Sequence, residues 1–100
     1  VENIPRALLD GLTAVLDADA WPLPPVFGWL RGTGIEAHEM ARTFNCGIGM
    51  VVIAAADQAD EVEDALGNAS ALALRIGAVE VAEGENAGIA IDNLDSAWKP

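Results

Sequence analysis

The sequence predicts an α+β fold, with helices packed on a mixed or antiparallel sheet. Three observations lead there. Helix signals at Ile4–Leu9, Val26–Leu30, Glu36–Arg42 and Ala59–Leu66 interleave with strand signals at Leu12–Leu16, Gly47–Ala55, Leu72–Val81 and Gly88–Asp92. Glycine, proline or an Asp-Gly pair punctuates most of the boundaries. Finally, 100 residues suffice for one small core and no more.

The first helical segment has Ile4, Leu8 and Leu9 on one face. Pro5 suits its first turn, where a missing N–H leaves no bond unmade, and Asp10-Gly11 turns the chain. Leu12–Leu16 alternates weakly as a strand, and Asp17–Ala20 is a polar connection. Trp21-Pro22-Leu23-Pro24-Pro25 is extended, because a residue before proline is pushed out of the α region. Pro25 then opens a short helix that ends at Gly32-Thr33-Gly34. Trp21, Phe27 and Trp29 are expected to cluster, either in the core or as a face for a partner domain. Glu36 and Glu39 near the start of the next helix and Arg42 near its end match the helix dipole. His38 has no second ligand one turn away, so it is expected at the surface.

The stretch Arg42–Met50 running into Val51-Val52-Ile53 organises the expectation for the rest. Gly47 and Gly49 permit positive φ or close approach of a ligand, and the apolar run after them reads as a central strand buried on both faces. Next, Asp57 is the expected N-cap of a helix with Ala59, Val62, Ala65 and Leu66 as its apolar stripe. Its carboxylates Asp60, Glu61, Glu63 and Asp64 alternate around the helix rather than converge on a metal, and Gly67-Asn68 is the expected stop. Alternation at Leu72, Leu74 and Ile76 changes phase at Val79 and Val81, which suggests one long strand bent at Gly77. A turn at Glu83–Asn86 and a return strand through Ile89 and Ile91 would complete a hairpin. A strand–helix–strand unit from Gly47 to Ala82 would be right-handed if its strands ran parallel. The tail is expected to be loose apart from Trp98.

Charge narrows the function. Sixteen acidic against five basic residues give −11, which opposes nucleic acid and anionic membranes as partners. The absence of Tyr and a 5% aromatic content argue against base stacking. No apolar run approaches the roughly 18 residues of a membrane span, and no signal peptide is legible at Val1. Cys46, the single cysteine, can form neither an internal disulfide nor a multi-thiolate zinc site; it reads as a small buried apolar residue in a cytoplasmic protein. With 52% hydrophobic residues, some apolar surface is expected to lie against a missing partner. A sheet edge left open would pair with another copy.

No nucleophile–base pair, phosphate loop or metal cluster is complete, so the residues alone leave the catalytic groups unassigned and no metal ligand named. Three blocks go further: Glu2-Asn3-Ile4-Pro5-Arg6, Trp21-Pro22-x-Pro24-Pro25-x-Phe27-x-Trp29-Leu30, and Glu39-Met40-x-Arg42-Thr43-Phe44-Asn45-x-Gly47-Ile48-Gly49-Met50. In order and spacing they resemble aminoimidazole ribonucleotide synthetase (phosphoribosylformylglycinamidine cyclo-ligase) over residues 1–55; Ile76-Gly77-x-Val79 and the closing strands match more loosely. Leu9 stands where that family usually has proline, and Cys46 where Met is common.

The resemblance implies that residues 1–100 are a single partial domain with ferredoxin-like elements, the closing part of the family's C-terminal domain. The N-terminal ATP-binding, dimerising domain would lie outside this chain. The implied reaction is ATP- and Mg2+-dependent ring closure of formylglycinamidine ribonucleotide in purine biosynthesis, by a cytoplasmic homodimer. Such chemistry rests on positioning and charge neutralisation, not on a protein nucleophile. Asn3 and Arg6 are implied near the domain cleft, Arg6 as a phosphate fork, although helix capping and a surface ion pair explain them equally. Thr43, Asn45, Gly47 and Gly49 would line that cleft or, alternatively, support the junction structurally. A non-catalytic interaction module that keeps the fold is the competing expectation.

Overall fold

The computed structural model describes residues 1, 3–81 and 88–99. Its architecture is α+β, and its centre is strand β1, Leu12–Asp17. Strand β2, Gly77–Val81, pairs antiparallel on one side of β1, and β3, Gly88–Asp92, pairs parallel on the other. Ala14 and Leu16 point from β1 into the core, as the alternation of a half-buried strand requires.

The core above them is built by α1 (Pro25–Gly32), α2 (Ala37–Thr43) and a single closing turn, α4 (Leu94–Ala97). Pro25 begins α1 as expected, and the Phe27 and Gly28 N–H groups take up the Pro24 carbonyl. Glu39 and Arg42 sit at the dipole-matched ends of α2. Near the start of the chain a single 3-10 turn, Ile4–Ala7, leads to Gly11 at φ +83°, which re-aims the chain into β1. Ala37, Met40 and Ala41 of α2 meet Trp21, Cys46, Leu94 and Trp98 in one cluster. Trp21 and Trp98 pack edge to face with ring centroids 5.9 Å apart. The tail is therefore anchored: Trp98 is buried and Arg31 Nε donates to its carbonyl at 2.9 Å, while Arg31 Nη1 donates to the Ile35 carbonyl at 2.8 Å.

Several expectations fail for one shared reason, that strand pairing and burial are decided by distant residues. The run Met50–Ala55 forms no strand, and Met50, Val52 and Ile53 are exposed. The central place belongs to β1, whose two edges are both taken, so this run finds no ladder among the described residues. The strand–helix–strand unit from Gly47 consequently does not form. β2 and β3 do not make a hairpin but flank β1, which gives the strand with the buried side chains a partner on both sides. The turn expected at Glu83–Asn86 lies outside the described residues. The long bent strand begins only at Gly77, with Ile76 adding one bond to the Asp17 N–H. Gly77 serves close approach: a Cβ there would overlap the Val15 carbonyl oxygen and press on Leu16 Cα at 2.8 Å.

Helix α3, Ala59–Asn68, shows the same pattern at its ends. Asp57 lies inside a 3-10 turn, Ala56–Gln58, and Gln58 takes the N-cap position without a side-chain bond. Gly67 stays helical, and the left-handed residue is Ser70 at φ +65°. The Ala71 N–H returns to the Leu66 carbonyl and that of Ser70 to Gly67, the paired bonds of a Schellman ending. The acidic face does converge in part, since Asp60 and Glu63, one turn apart, both pair with Arg75. That contact ties α3 to the lead-in of β2. Of the expected aromatic trio only Trp21 is buried: Phe27 pairs with Phe44 at 6.0 Å, and Trp29 is 70% exposed.

Beyond β1 the chain is held by Asp17. Its Oδ1 accepts from the Asn93 side-chain amide and from the Asp19 N–H, each at 2.9 Å, joining the ends of β1 and β3. The Asn93 bond first, and then the Asp19 N–H, favour the carboxylate and hold Asp17 below the ordinary aspartate value. A lowered value means stability present above the ordinary pKa and lost as pH falls through the depressed one. Asn93→Gly keeps the left-handed backbone at φ +65° but removes the donor. The melting-temperature gap between wild type and this variant should shrink to a constant remainder as pH falls below about 4. A gap unchanged down to strongly acid pH would contradict the assignment. Gly77→Ala should cost about 3 kcal/mol in urea unfolding, the upper end of overpacking. In Gly28→Ala the added methyl meets nothing within 4 Å in the middle of α1, so it should stabilise by about 0.5–1 kcal/mol. Equal effects of the two would refute the close-approach role of Gly77.

Candidate functional site

The corner after α2 is where the sequence concentrates its backbone strain. Asn45 to Ile48 is a tight turn closed by the Ile48 N–H on the Asn45 carbonyl at 3.0 Å. Its two central residues both have positive φ, +51° at Cys46 and +97° at Gly47, the pattern of a type I′ turn. Glycine accepts that conformation without cost, whereas cysteine does not, so the surroundings must enforce it.

Four contacts do so. The Asn45 side-chain carbonyl accepts from the Gly47 N–H at 3.0 Å, an Asx turn laid over the backbone turn. The Trp21 indole N–H donates to the Cys46 carbonyl at 3.0 Å inside the core. The Cys46 thiol, fully buried, donates to the Met40 carbonyl at 3.4 Å. Gly47 lies so close to the Pro24 ring that a Cβ would stand 2.6 Å from its Cδ. Just upstream, the Val1 amino nitrogen donates to the Phe44 carbonyl at 2.9 Å, bringing the start of the chain against the corner. Burial raises the Cys46 thiol above its ordinary value, so it stays a neutral packing group, as the sequence suggested.

Between the corner and the first turn of the chain lies an open groove of about 370 Å³. Asn3, Asn45 and Gly49 contribute to its lining, with Ile4, Ile48 and Met50 supplying apolar walls. Of the six residues singled out in the sequence, these three come together. Arg6, Thr43 and Gly47 do not line the groove: Arg6 is exposed at the end of the 3-10 turn, Thr43 is exposed at the end of α2, and Gly47 turns toward Pro24. Gly49 is open to the groove, with nothing within 4 Å of where its Cβ would stand. His38 is exposed on α2, and no group of three His, Cys, Asp or Glu gathers among the described residues. No described helix is long and apolar enough to cross a membrane.

The groove therefore offers amide donors and acceptors and bare backbone on an apolar base, and no ionised side chain lines it among the described residues. That suits recognition of neutral hydroxyl or amide groups. Sequence reasoning missed the residues that shape it: Trp21 was legible as an aromatic, but its bond to Cys46 joins positions 25 apart.

Comparison with known proteins adds a family. The profile described as AIR synthase related protein, C-terminal domain, matches residues 1–90. The chain is 55% identical over 87 residues to phosphoribosylformylglycinamidine cyclo-ligase of Burkholderia pseudomallei (strain 1710b), covering 85% of this chain and 25% of that protein. It is 48% identical over 85 residues to the protein of the same name from Neisseria meningitidis (strain FAM18), covering 84% of this chain and 25% of the relative. Against that of Aromatoleum aromaticum it is 51% identical over 81 residues, 80% of this chain and 23% of the relative. The chain thus spans about a quarter of the length of the curated relatives it matches.

The site geometry makes one direct prediction. Trp21→Phe keeps the ring in the core but leaves the buried Cys46 carbonyl without its donor, which should cost about 1–3 kcal/mol in chemical denaturation. A variant as stable as wild type would show that the bond contributes nothing to the corner.

Proposed function

Because the chain belongs to the AIR synthase related protein family, as its C-terminal domain, we propose that it works as part of a phosphoribosylformylglycinamidine cyclo-ligase. The observation that carries this is 55% identity to a cyclo-ligase across 85% of the chain. The reaction is ATP-dependent closure of the imidazole ring of aminoimidazole ribonucleotide in purine biosynthesis, by a C–N bond-forming ligase acting in the cytoplasm as a homodimer. When bound, ATP with Mg2+ supplies the phosphoryl group that activates the amide oxygen of formylglycinamidine ribonucleotide.

The groove itself does not fit that cofactor, since among the described residues its lining includes no carboxylate for a magnesium ion and no cationic side chain for a triphosphate. ATP and Mg2+ are accordingly assigned to the N-terminal domain of the longer enzyme, and no step is routed through these residues. The role assigned to this chain is substrate positioning. Asn3 and Asn45 present amides to the neutral part of the nucleotide, and Gly49 leaves its backbone free for close approach. Asn45 is already oriented by its bond to the Gly47 N–H, so little entropy is lost when it engages a ligand. Arg6, Thr43 and Gly47 support this site from outside its lining, Arg6 as a charge near the cleft and Gly47 as the pivot of the corner.

The test is a chimera in which this chain replaces the matching quarter of the Burkholderia pseudomallei enzyme. Ring closure should be retained, and its loss in a folded chimera would contradict the proposal. Gly49→Ala in the same chimera adds a methyl that meets nothing within 4 Å in the fold but enters the groove. It should leave the melting temperature unchanged and lower kcat/KM roughly tenfold, equivalent to about 1.4 kcal/mol of lost transition-state binding. Unchanged kinetics would remove the groove from the substrate path.

A further inference from the structure

Building on the substrate-positioning role given to the groove, we propose that Asn45 acts there as a hydrogen-bond donor only, and that the ligand group it recognises is a neutral acceptor of the carbonyl type. The turn has already claimed the other end of the amide. A backbone N–H can only donate, so the Asn45 side-chain atom 3.0 Å from the Gly47 nitrogen is the oxygen, and –NH2 is the opposite end. The Asn45 backbone carbonyl is engaged as well, by the Ile48 N–H at 3.0 Å. What the side chain keeps for the groove is Nδ2, which has no partner among the described residues.

This assignment is locked from behind. Turning the amide over would set –NH2 against the Gly47 N–H, donor against donor, and forfeit the bond that closes the Asx turn. The backbone is not at liberty to relieve that clash. Trp21 donates to the Cys46 carbonyl, the Cys46 thiol donates to the Met40 carbonyl, and Gly47 lies against the Pro24 ring. Asn3 differs, because its side chain makes no capping bond on the 3-10 turn that it precedes and can present either end of its amide. One side of the groove is thus a committed donor and the other is adaptable.

The surroundings choose among acceptors. Among the described residues the lining holds no cationic side chain to offset a phosphate or a carboxylate, and Ile4, Ile48 and Met50 supply apolar walls. A carbonyl oxygen asks for a donor without a counter-ion, and the flat apolar atoms around it suit such walls. A ligand that brought an N–H to this point would meet a second donor, the mismatch by which a polar site discriminates most strongly. The amide carbonyl of formylglycinamidine ribonucleotide has the required chemistry.

Asn45→Asp separates the two ends of the amide. A carboxylate still accepts from the Gly47 N–H and suits the same turn, but the donor end becomes a second acceptor. In the Burkholderia pseudomallei chimera this variant should melt no lower than the unsubstituted protein. With formylglycinamidine ribonucleotide it should lose about 20-fold or more in kcat/KM. Asn45→Ala, which removes both ends, should lower activity and melting temperature together. The deficit of Asn45→Asp should persist as salt is raised, since screening relieves repulsion between separated charges but does not restore a missing hydrogen bond. Full activity, or a deficit that salt abolishes, would overturn the proposal and leave Asn45 to the turn alone. An inactive unsubstituted chimera would instead contradict the cyclo-ligase reading, and the donor role is then read by NMR in the 100-residue chain. N,N-dimethylformamide, a carbonyl acceptor with no N–H, should shift the Asn45 side-chain amide protons more than those of Asn68, exposed at the end of α3. Equal shifts at the two residues would overturn the proposal whatever the chimera does.

Discussion

The bond from the Trp21 indole to the Cys46 carbonyl is the constraint on which the corner after α2 and the groove beside it depend. It is buried, so it neither competes with water nor can be replaced by it, and losing it would strand an acceptor in an apolar core. Around it pack Met40, Leu94 and Trp98, which place α2, α4 and the chain end on one side of β1. Through it the core dictates the backbone of a corner whose second residue sits at a positive φ that cysteine would not choose. The groove is thus shaped from behind, by packing, as well as by the turn bonds of Asn45, which lines it. One debt remains in the same cluster: Trp98 Nε1 is buried without a partner among the described residues, a cost of about 1–3 kcal/mol that the burial of the ring must exceed.

What was legible in the sequence was local. Pro25 starts a helix wherever the chain needs one, Asp10-Gly11 turns it, and the charges of Glu39 and Arg42 match a short dipole. These choices are made by dihedral preferences within a few residues. The blocks around Asn3 and Asn45 also pointed to positions that converge on one groove, and Gly49 was legible as open backbone. Strand partners were not legible. Met50–Ile53 and Leu12–Leu16 both read as apolar strands, and which of them occupies the centre depends on segments dozens of residues away. For the same reason Trp29 left the expected aromatic cluster and is exposed on α1, whereas Trp98, the residue of the tail expected to be held, is buried under Arg31 and Trp21.

Much of the exposed apolar surface lies in one stretch of the chain, although Leu9, Val26 and Trp29 are exposed outside it. Met50, Val52, Leu72, Leu74 and Val81 are exposed on segments that follow the corner and lead into β2, while the side of β1 facing α2 and α4 is closed. The chain corresponds to about a quarter of its curated relatives, whose greater length could cover such a surface. The negative charge is largely elsewhere: Asp57, Asp60, Glu61 and Asp64 lie exposed on and just before α3, away from the groove lining. The groove beside the corner thus presents amides and backbone, with no carboxylate in its lining among the described residues.

The claim that one buried hydrogen bond sets the corner can be read directly from exchange at the three indole N–H groups, resolved by NMR in a single sample. Trp29, exposed on α1, serves as the internal reference for free exchange. If the account is right, the Trp21 indole proton is protected by several orders of magnitude relative to Trp29, and its protection falls in step with that of the Gly47 amide as denaturant is added. A Trp21 indole that exchanges as fast as that of Trp29 in the folded protein would contradict it, and the corner would then owe its shape to Asn45 and Pro24 alone.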